Sequence, residues 1–189
     1  MRAEEEPLYR VENGVVLVEL ELGRIEQLFN TLDPSPFHEK DLDADAEEFI
    51  FEAVEEISLS RPVRLVIHVP PDEVSPGKQL VVKEALHHYF AYRSEITRRQ
   101  LRHIFWLARV SLLIGAAFLF ACMGLQHALT RFLPDSFWAY FLREGLMISG
   151  WVAMWRPIQL FLYDWWPHRH RMMTYRKISA MDVDVRART

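Results

Sequence analysis

Apolar and polar residues alternate along Val15–Leu22, with Val16, Val18, Leu20 and Leu22 on one face and Glu19 and Glu21 on the other. A period of two with one apolar face predicts a half-buried strand. Ile25, Leu28, Phe29 and Leu32 then recur at three- and four-residue spacing, which predicts a short helix over 25–32, stopped by Asp33-Pro34-Ser35-Pro36. A better helix follows. Ala46, Phe49, Ile50, Ala53, Val54 and Ile57 form one apolar stripe, Asp43 stands at the N-cap position, and the opposite face is almost wholly acidic. Pro62–Val69 reads as a second strand, after a connection long enough for parallel pairing. Two strands alone would be unstable, and Met181, Val183 and Val185 alternate with Asp182 and Asp184 near the other end of the chain. The expectation is one small α/β module whose sheet takes strands from both ends.

Between these strands the period changes to that of long helices. Ser75 caps and Pro76 opens a helix expected to run as a cytosolic stem over 76–103, about 42 Å at 1.5 Å per residue, and on into an apolar stretch over 104–126 interrupted by Arg109. About 20 mostly apolar residues suffice to span a bilayer, and Arg109 near one end can extend its guanidinium among headgroups. A second span is expected over 137–163, with a turn near 131–137 at Pro134 and Asp135. It is less clean, because it contains Arg143, Glu144 and Arg156. The division expected is therefore an acidic module over 1–75, the stem, a transmembrane hairpin over 104–163, and an exit helix with a strand over 164–189. The fold class is an α+β membrane protein.

Charge sharpens this division. Residues 1–73 hold 6 Lys/Arg against 19 Asp/Glu, whereas residues 74–189 hold 16 against 7, so the overall net charge of −4 hides an acidic head and a basic remainder. An acidic head does not suit a phosphate backbone, which argues against nucleic acid as a partner. The basic residues crowd the span ends away from the turn, where Arg93, Arg98, Arg99, Arg102, Arg109, Arg156, Arg169, Arg171, Arg176 and Lys177 face only Arg131 and Arg143. The positive-inside rule makes that side cytoplasmic, with both termini there and the basic collar attracted to anionic lipid of the inner leaflet. Trp106, Trp155, Trp165 and Trp166 gather at the same level, where amphipathic rings prefer to sit. Arg109, Arg156, Trp155, Trp165 and Trp166 are thus the expected interface anchors. Glu4, Glu5 and Glu6 precede any apolar stretch, which is unlike a secretory signal and leaves insertion to the internal segments.

Chemistry is sparse. Cys122 is the single cysteine and lies in an apolar run, where a thiol acts as a small hydrophobe. Asp41, Asp43, Asp45 and Glu52 match positions 1, 3, 5 and 12 of a calcium loop, but Ala46 occupies the position needing glycine, and the helical stripe begins inside the window. No pair of histidines has the i, i+4 helical spacing with an acidic neighbour that marks a zinc-hydrolase helix, His168 and His170 suit interfacial polarity better than metal binding, and there is no nucleophile elbow, phosphate loop or CxxC pair. No catalytic, metal-binding or cofactor-binding residue is expected. Asp33, Phe37, His38 and Asp41, on a proline-stiffened loop, are candidates for docking a partner, with Phe37 stapling the loop to the core as the alternative. Gly145, Ser149 and Ala153 on the second span, with Ala117, Ala121 and Gly124 on the first, form small-residue stripes that either close the hairpin or bring copies together. Arg156 and Asp164 are too far apart on one helix for a direct pair without a bend at Pro157.

The segments DPSPFHEKDLDADAEEFI and WRPIQLFLYDWWPHR resemble those of uncharacterised bacterial two-span membrane proteins, over most of the chain. The resemblance implies the bacterial inner membrane and carries no activity. The sequence thus predicts a non-enzymatic, membrane-anchored accessory or scaffold protein that presents its acidic module to a protein partner, or alternatively a protomer of an oligomeric pore or transport complex.

Overall fold

The computed structural model describes residues 9–34, 40–132 and 136–188. The fold is mixed α+β with a four-stranded mixed sheet, and the chain divides into two compact units, residues 1–97 with 170–189 and residues 98–169. Phe37 and His38 and the expected turn at Pro134 and Asp135 lie outside the described residues.

In the first unit, β2 (Val15–Glu21), β3 (Val63–Val69) and β4 (Asp182–Ala187) run parallel in that order, with Val18 opposite Leu65 and Leu65 opposite Val183. Strands from both ends of the chain therefore share one sheet. The sequence pattern did not predict β1 (Val11–Glu12), which pairs antiparallel with β2. The hairpin turns on Asn13 and Gly14, with φ of 52° and 80°, the left-handed pair that matches the twist of the flanking strands. The helix expected over 25–32 is a single 3-10 turn, Ile25–Leu28. It stops there because Phe29 turns extended and bridges Leu42, burying both side chains.

α1 (Ala44–Glu56) begins at Asp43, whose Oδ1 accepts the Asp45 N–H at 3.1 Å. It buries Ile50, Phe51, Ala53 and Val54 and lies against β2. α2 (Pro76–Phe132) opens with its Lys78 N–H donating to Ser75 Oγ. Its early turns place Val82, Ala85, Leu86 and Phe90 in the same core. α4 (Trp165–Ile178) contributes Tyr175 and Ile178. Because β3 and β4 are parallel, a crossover must join them. The crossover here leaves the unit after Thr97 and returns at His170, with the whole second unit inserted in it.

α2 also reaches the edge strand β4. Gln79 Nε2 donates to Asp184 Oδ1 at 3.4 Å, Lys83 Nζ contacts Asp182 Oδ1 at 2.8 Å, and His87 Nε2 lies 2.8 Å from the Met181 carbonyl. Three side chains at four-residue spacing thus tie α2 to β4 and to the residue before it. The face of the sheet away from the core carries an ion pair, Arg64 with Asp182 at 3.1 Å, and a contact of His68 Nε2 with Glu19 Oε1 at 3.2 Å.

The second unit contains the rest of α2, α3 (Phe137–Gln159), a π-helical turn (Leu160–Asp164) and the start of α4. Ser136 Oγ caps α3 by accepting the Ala139 N–H. Buried positions on α2 recur every seven residues at Ala108, Gly115 and Cys122, and α3 buries Gly150 and Pro157 at the same interval. A seven-residue repeat is the seam of two helices wound together, and small residues on it let the backbones approach. A Cβ on Gly115 would stand 3.0 Å from the Ala153 carbonyl oxygen, and one on Gly150 would stand 2.7 Å from Leu119 Cδ1.

Among the described residues, α2 is the one helix long and apolar enough to cross a membrane, and its most apolar 18-residue window is only 11% buried. α3, which contains Arg143, Glu144 and Arg156, does not meet the same measure.

Candidate functional site

Of the four docking candidates, the described residues include Asp33 and Asp41. Asp33 Oδ2 accepts the Asp41 N–H at 2.8 Å, and the Asp41 carbonyl accepts the Asn30 N–H at 2.8 Å. The two aspartates therefore form a neck that ties Asp33 and Asn30 to Asp41. Leu32 beside this neck is 89% exposed, an apolar side chain that the helical pattern had assigned to a buried stripe.

The outer face of α1 carries Asp45, Glu48, Glu52, Glu55 and Glu56, all exposed, around a Phe49 that is 45% exposed. Asp43 is committed to capping, and from Ala44 onward the backbone is helical, so the Asp41–Glu52 window does not wrap as a loop. Tyr9 donates to Glu56 Oε2 at 2.7 Å; burial, then that hydrogen bond, push its phenol up to about 12.

One acid of α1 points inward and organises the most connected polar cluster in the first unit. Glu47 accepts hydrogen bonds from Tyr89 at 2.6 Å and from Tyr175 at 3.0 Å, and its Oε1 lies 2.7 Å from Arg93 Nη2. Arg93 and Arg171 both donate to the Tyr175 hydroxyl, and the Arg171 guanidinium lies over the Phe51 ring at 5.0 Å. Burial, then the hydrogen bond to Glu47, hold the Tyr89 phenol above its ordinary range. Both carboxylate oxygens of Glu47 are thus engaged, and the Tyr89 phenol is kept protonated. The cluster clasps α1, α2 and α4 together and offers no free base or nucleophile. Sequence reading missed it because Glu47 looks like any other acid of an acidic helix.

In the second unit, Arg109, Trp155 and Trp166 are exposed, and Trp165 is half-buried against Phe105. Arg169 lies over the Trp165 ring at 5.7 Å. Arg156 Nη1 donates to Asp164 Oδ2 at 3.1 Å, against the expectation that they stand too far apart. The cause is the π-helical turn: one inserted residue makes a separation of eight behave like seven, two full turns, and puts both side chains on one face.

The small-residue stripes do not supply the hairpin seam. Ala117, Ala121, Gly124, Gly145 and Ser149 are exposed, whereas Ala153 meets the partner helix through its carbonyl against Gly115. Ser149 Oγ donates to the Gly145 carbonyl at 2.7 Å within its own helix. Arg143 turns its Nε to the Ala139 carbonyl at 3.2 Å, and Glu144 is exposed.

Among the described residues, no three His, Cys, Asp or Glu side chains are grouped so as to hold a metal ion. The features that stand out are surfaces, an acidic one on α1 and an apolar one around the hairpin. Comparison with protein-family models, with curated proteins and with solved structures returns no match to this chain.

Proposed function

We propose that the chain is a non-enzymatic membrane-anchored accessory or scaffold protein of the bacterial inner membrane. The hairpin of α2 and α3 crosses the bilayer twice, both termini lie in the cytoplasm, and the α/β module presents the acidic face of α1 to a protein partner. The observation that carries this reading is the inverted surface of the second unit. Small residues fill its seam, while Leu113, Ile114, Phe120, Trp151, Val152 and Trp155 point outward, each more than half exposed. Water disfavours a contiguous apolar surface of that kind, whereas lipid accepts it. The basic side chains at the ends of this unit suit the anionic cytoplasmic leaflet.

Two measurements test the two parts. The purified chain should float with lipid vesicles and resist alkaline extraction; a chain that stays dispersed in buffer without detergent removes the membrane reading. Site-specific crosslinking from Glu52 or Phe49 on α1 should trap one defined protein in native membranes. Adducts to the chain itself or to lipid alone would remove the scaffold reading.

A second reading is favoured by the exposed stripes. Ala117, Ala121 and Gly124, with Gly145 and Ser149, are left unused by the hairpin and suit close helix packing between copies. A protomer of an oligomeric pore or transport complex would then run as a ring in nanodiscs, where a scaffold of one hairpin runs as a monomer.

A further inference from the structure

The hairpin encloses a groove of about 400 Å³, lined by Ser111, Ile114 and Phe118 of α2 and by Ala153, Arg156 and Pro157 of α3. Gly115 forms part of its wall and contributes no side chain. The volume lies in the range of small-molecule sites, ~300–1,000 Å³. Its walls are almost entirely apolar, and Ser111 and Arg156 are the lining residues whose side chains carry a polar group. Pro157 adds a further feature, since it has no N–H to give the Ala153 carbonyl that borders the groove.

An open apolar groove bordered by an arginine matches a molecule with an acyl chain and an anionic head. Arg156 meets Asp164 through Nη1 alone, and its side chain is 59% exposed. A guanidinium carries five N–H donors in a planar fork, enough to hold a phosphate while one nitrogen still faces Asp164. Basic pockets between membrane helices on the cytoplasmic side are a recurrent means of holding anionic lipid headgroups. The π-helical turn matters here, because it brings Asp164 onto the face of Arg156 and sets a carboxylate in competition with any phosphate that arrives. Such turns recur at functional positions.

We infer that the groove between α2 and α3 holds one anionic phospholipid, with an acyl chain along Ile114 and Phe118 and its phosphate on Arg156, and that Asp164 tempers the affinity. The site rests on the membrane reading above. It differs from general attraction to a basic collar in having a fixed place, a stoichiometry of one and a dependence on a single arginine.

The test uses the full chain in nanodiscs of equal parts phosphatidylglycerol and phosphatidylcholine with identical acyl chains. Native mass spectrometry then counts the lipids retained on the protein after release. The wild type should keep one phosphatidylglycerol over phosphatidylcholine by about fivefold, the effect of one basic residue near an anionic surface. Arg156→Gln should bring the ratio near one, and Arg156→Lys should restore part of it. Asp164→Asn should raise it, a direction that simple loss of structure would not produce. Ser111→Phe, which fills the groove, should abolish retention of both lipids. Equal retention by the wild type, an unchanged ratio in Arg156→Gln or a lowered ratio in Asp164→Asn each overturns the site. Flotation of wild type and Arg156→Gln with neutral vesicles separates the two ideas. A chain that floats without lipid preference loses only the groove, whereas one that does not float loses the membrane reading and the groove with it.

Discussion

The two units solve opposite packing problems with one chain. In the first, large side chains such as Phe29, Leu65, Phe90 and Tyr175 are fully buried and, Glu47 apart, the acids of α1 face outward. In the second, glycine, alanine and cysteine occupy the seam while Phe120, Trp151 and Trp155 face outward. Burial of apolar area drives the first arrangement, at roughly 25 cal/mol per Å² removed from water. It cannot drive the second if the surroundings are as apolar as leucine, and close backbone approach takes its place. The difference teaches that size, rather than hydrophobicity, sorts the side chains of the second unit between inside and outside.

The most damaging way to break the comparison is to end the chain after Ile178. That removes Met181, Val183 and Val185 from the core of the first unit and turns β3 into an edge strand with β2 as its one remaining neighbour. Each fully buried side chain contributes roughly 1.5–3 kcal/mol, and a domain's whole stability is roughly 5–15 kcal/mol. The first unit should unfold while the hairpin keeps its helices. Hydrogen exchange would report this as lost amide protection over Val63–Val69 with protection over 104–126 retained. Unchanged protection of β3 would mean that the last strand is peripheral.

Next in size is Glu47→Gln. The amide keeps the shape but loses the charge opposite Arg93, and one of its ends can no longer accept a hydrogen bond from a tyrosine. Breaking a largely buried ion pair costs about 3–5 kcal/mol; the lower end applies here, because the Arg93 side chain is 34% exposed. Urea unfolding followed by tyrosine and tryptophan signals should show the loss in the first unit alone. A change under ~0.5 kcal/mol would show that the clasp is surface decoration.

Glycines sharpen the comparison within the second unit. A methyl on Gly115 would press against backbone, the Ala153 carbonyl at 3.0 Å, whereas Gly124 and Gly145 have nothing within 4 Å of an added Cβ. Gly115→Ala should therefore destabilise the hairpin by roughly 1–3 kcal/mol, the usual penalty of overpacking. Gly124→Ala should leave it unchanged or stabilise it by up to ~1 kcal/mol through helix propensity. Thermal unfolding in detergent gives both values. A destabilising Gly124→Ala would instead point to an interface between copies at that face.

How much of this was legible varies with how local the cause is. The strands, the Asp43 cap and the helix from Pro76 follow from period and capping chemistry, and the C-terminal strand from the need of a two-stranded sheet for a third. The β1 hairpin was equally legible, since Asn13-Gly14 is a strong turn signal, but two residues of strand give periodicity nothing to count. The remaining differences have tertiary causes. Leu32 sits at helical spacing yet is exposed, because the pairing of Phe29 with Leu42 ends the helix early. The small-residue stripes through Ala117 and Gly145 suit either a hairpin seam or a contact between copies; the seam itself runs through Ala108, Gly115 and Cys122, and composition alone cannot choose between two stripes on one helix. The Arg156–Asp164 pair depends on a π-helical turn, which leaves no mark in residue spacing. The Glu47 clasp needs three helices brought together before its acid differs from its neighbours.

The smallest expected effect concerns the edge of β4 and separates the units by pH. The Asp182 carboxyl is held below the usual aspartate value by the hydrogen bond from Lys83, against some burial, with the charges of Lys83 and Arg64 adding to it. A depressed folded pKa means that the unfolded chain takes up the proton first as pH falls. Its stabilisation is therefore complete above about pH 4 and drains away as pH drops through the folded value. Asp182 is half-exposed, so the amount should be only a few tenths of a kcal/mol, as for other solvent-screened pairs. Lys83→Met should reduce the acid-side slope of the first unit's stability by that amount and leave the hairpin's own response to pH as it is in the wild type. The second unit draws nothing from this contact, so an equal change in both units on Lys83→Met would show that they do not unfold as separate bodies.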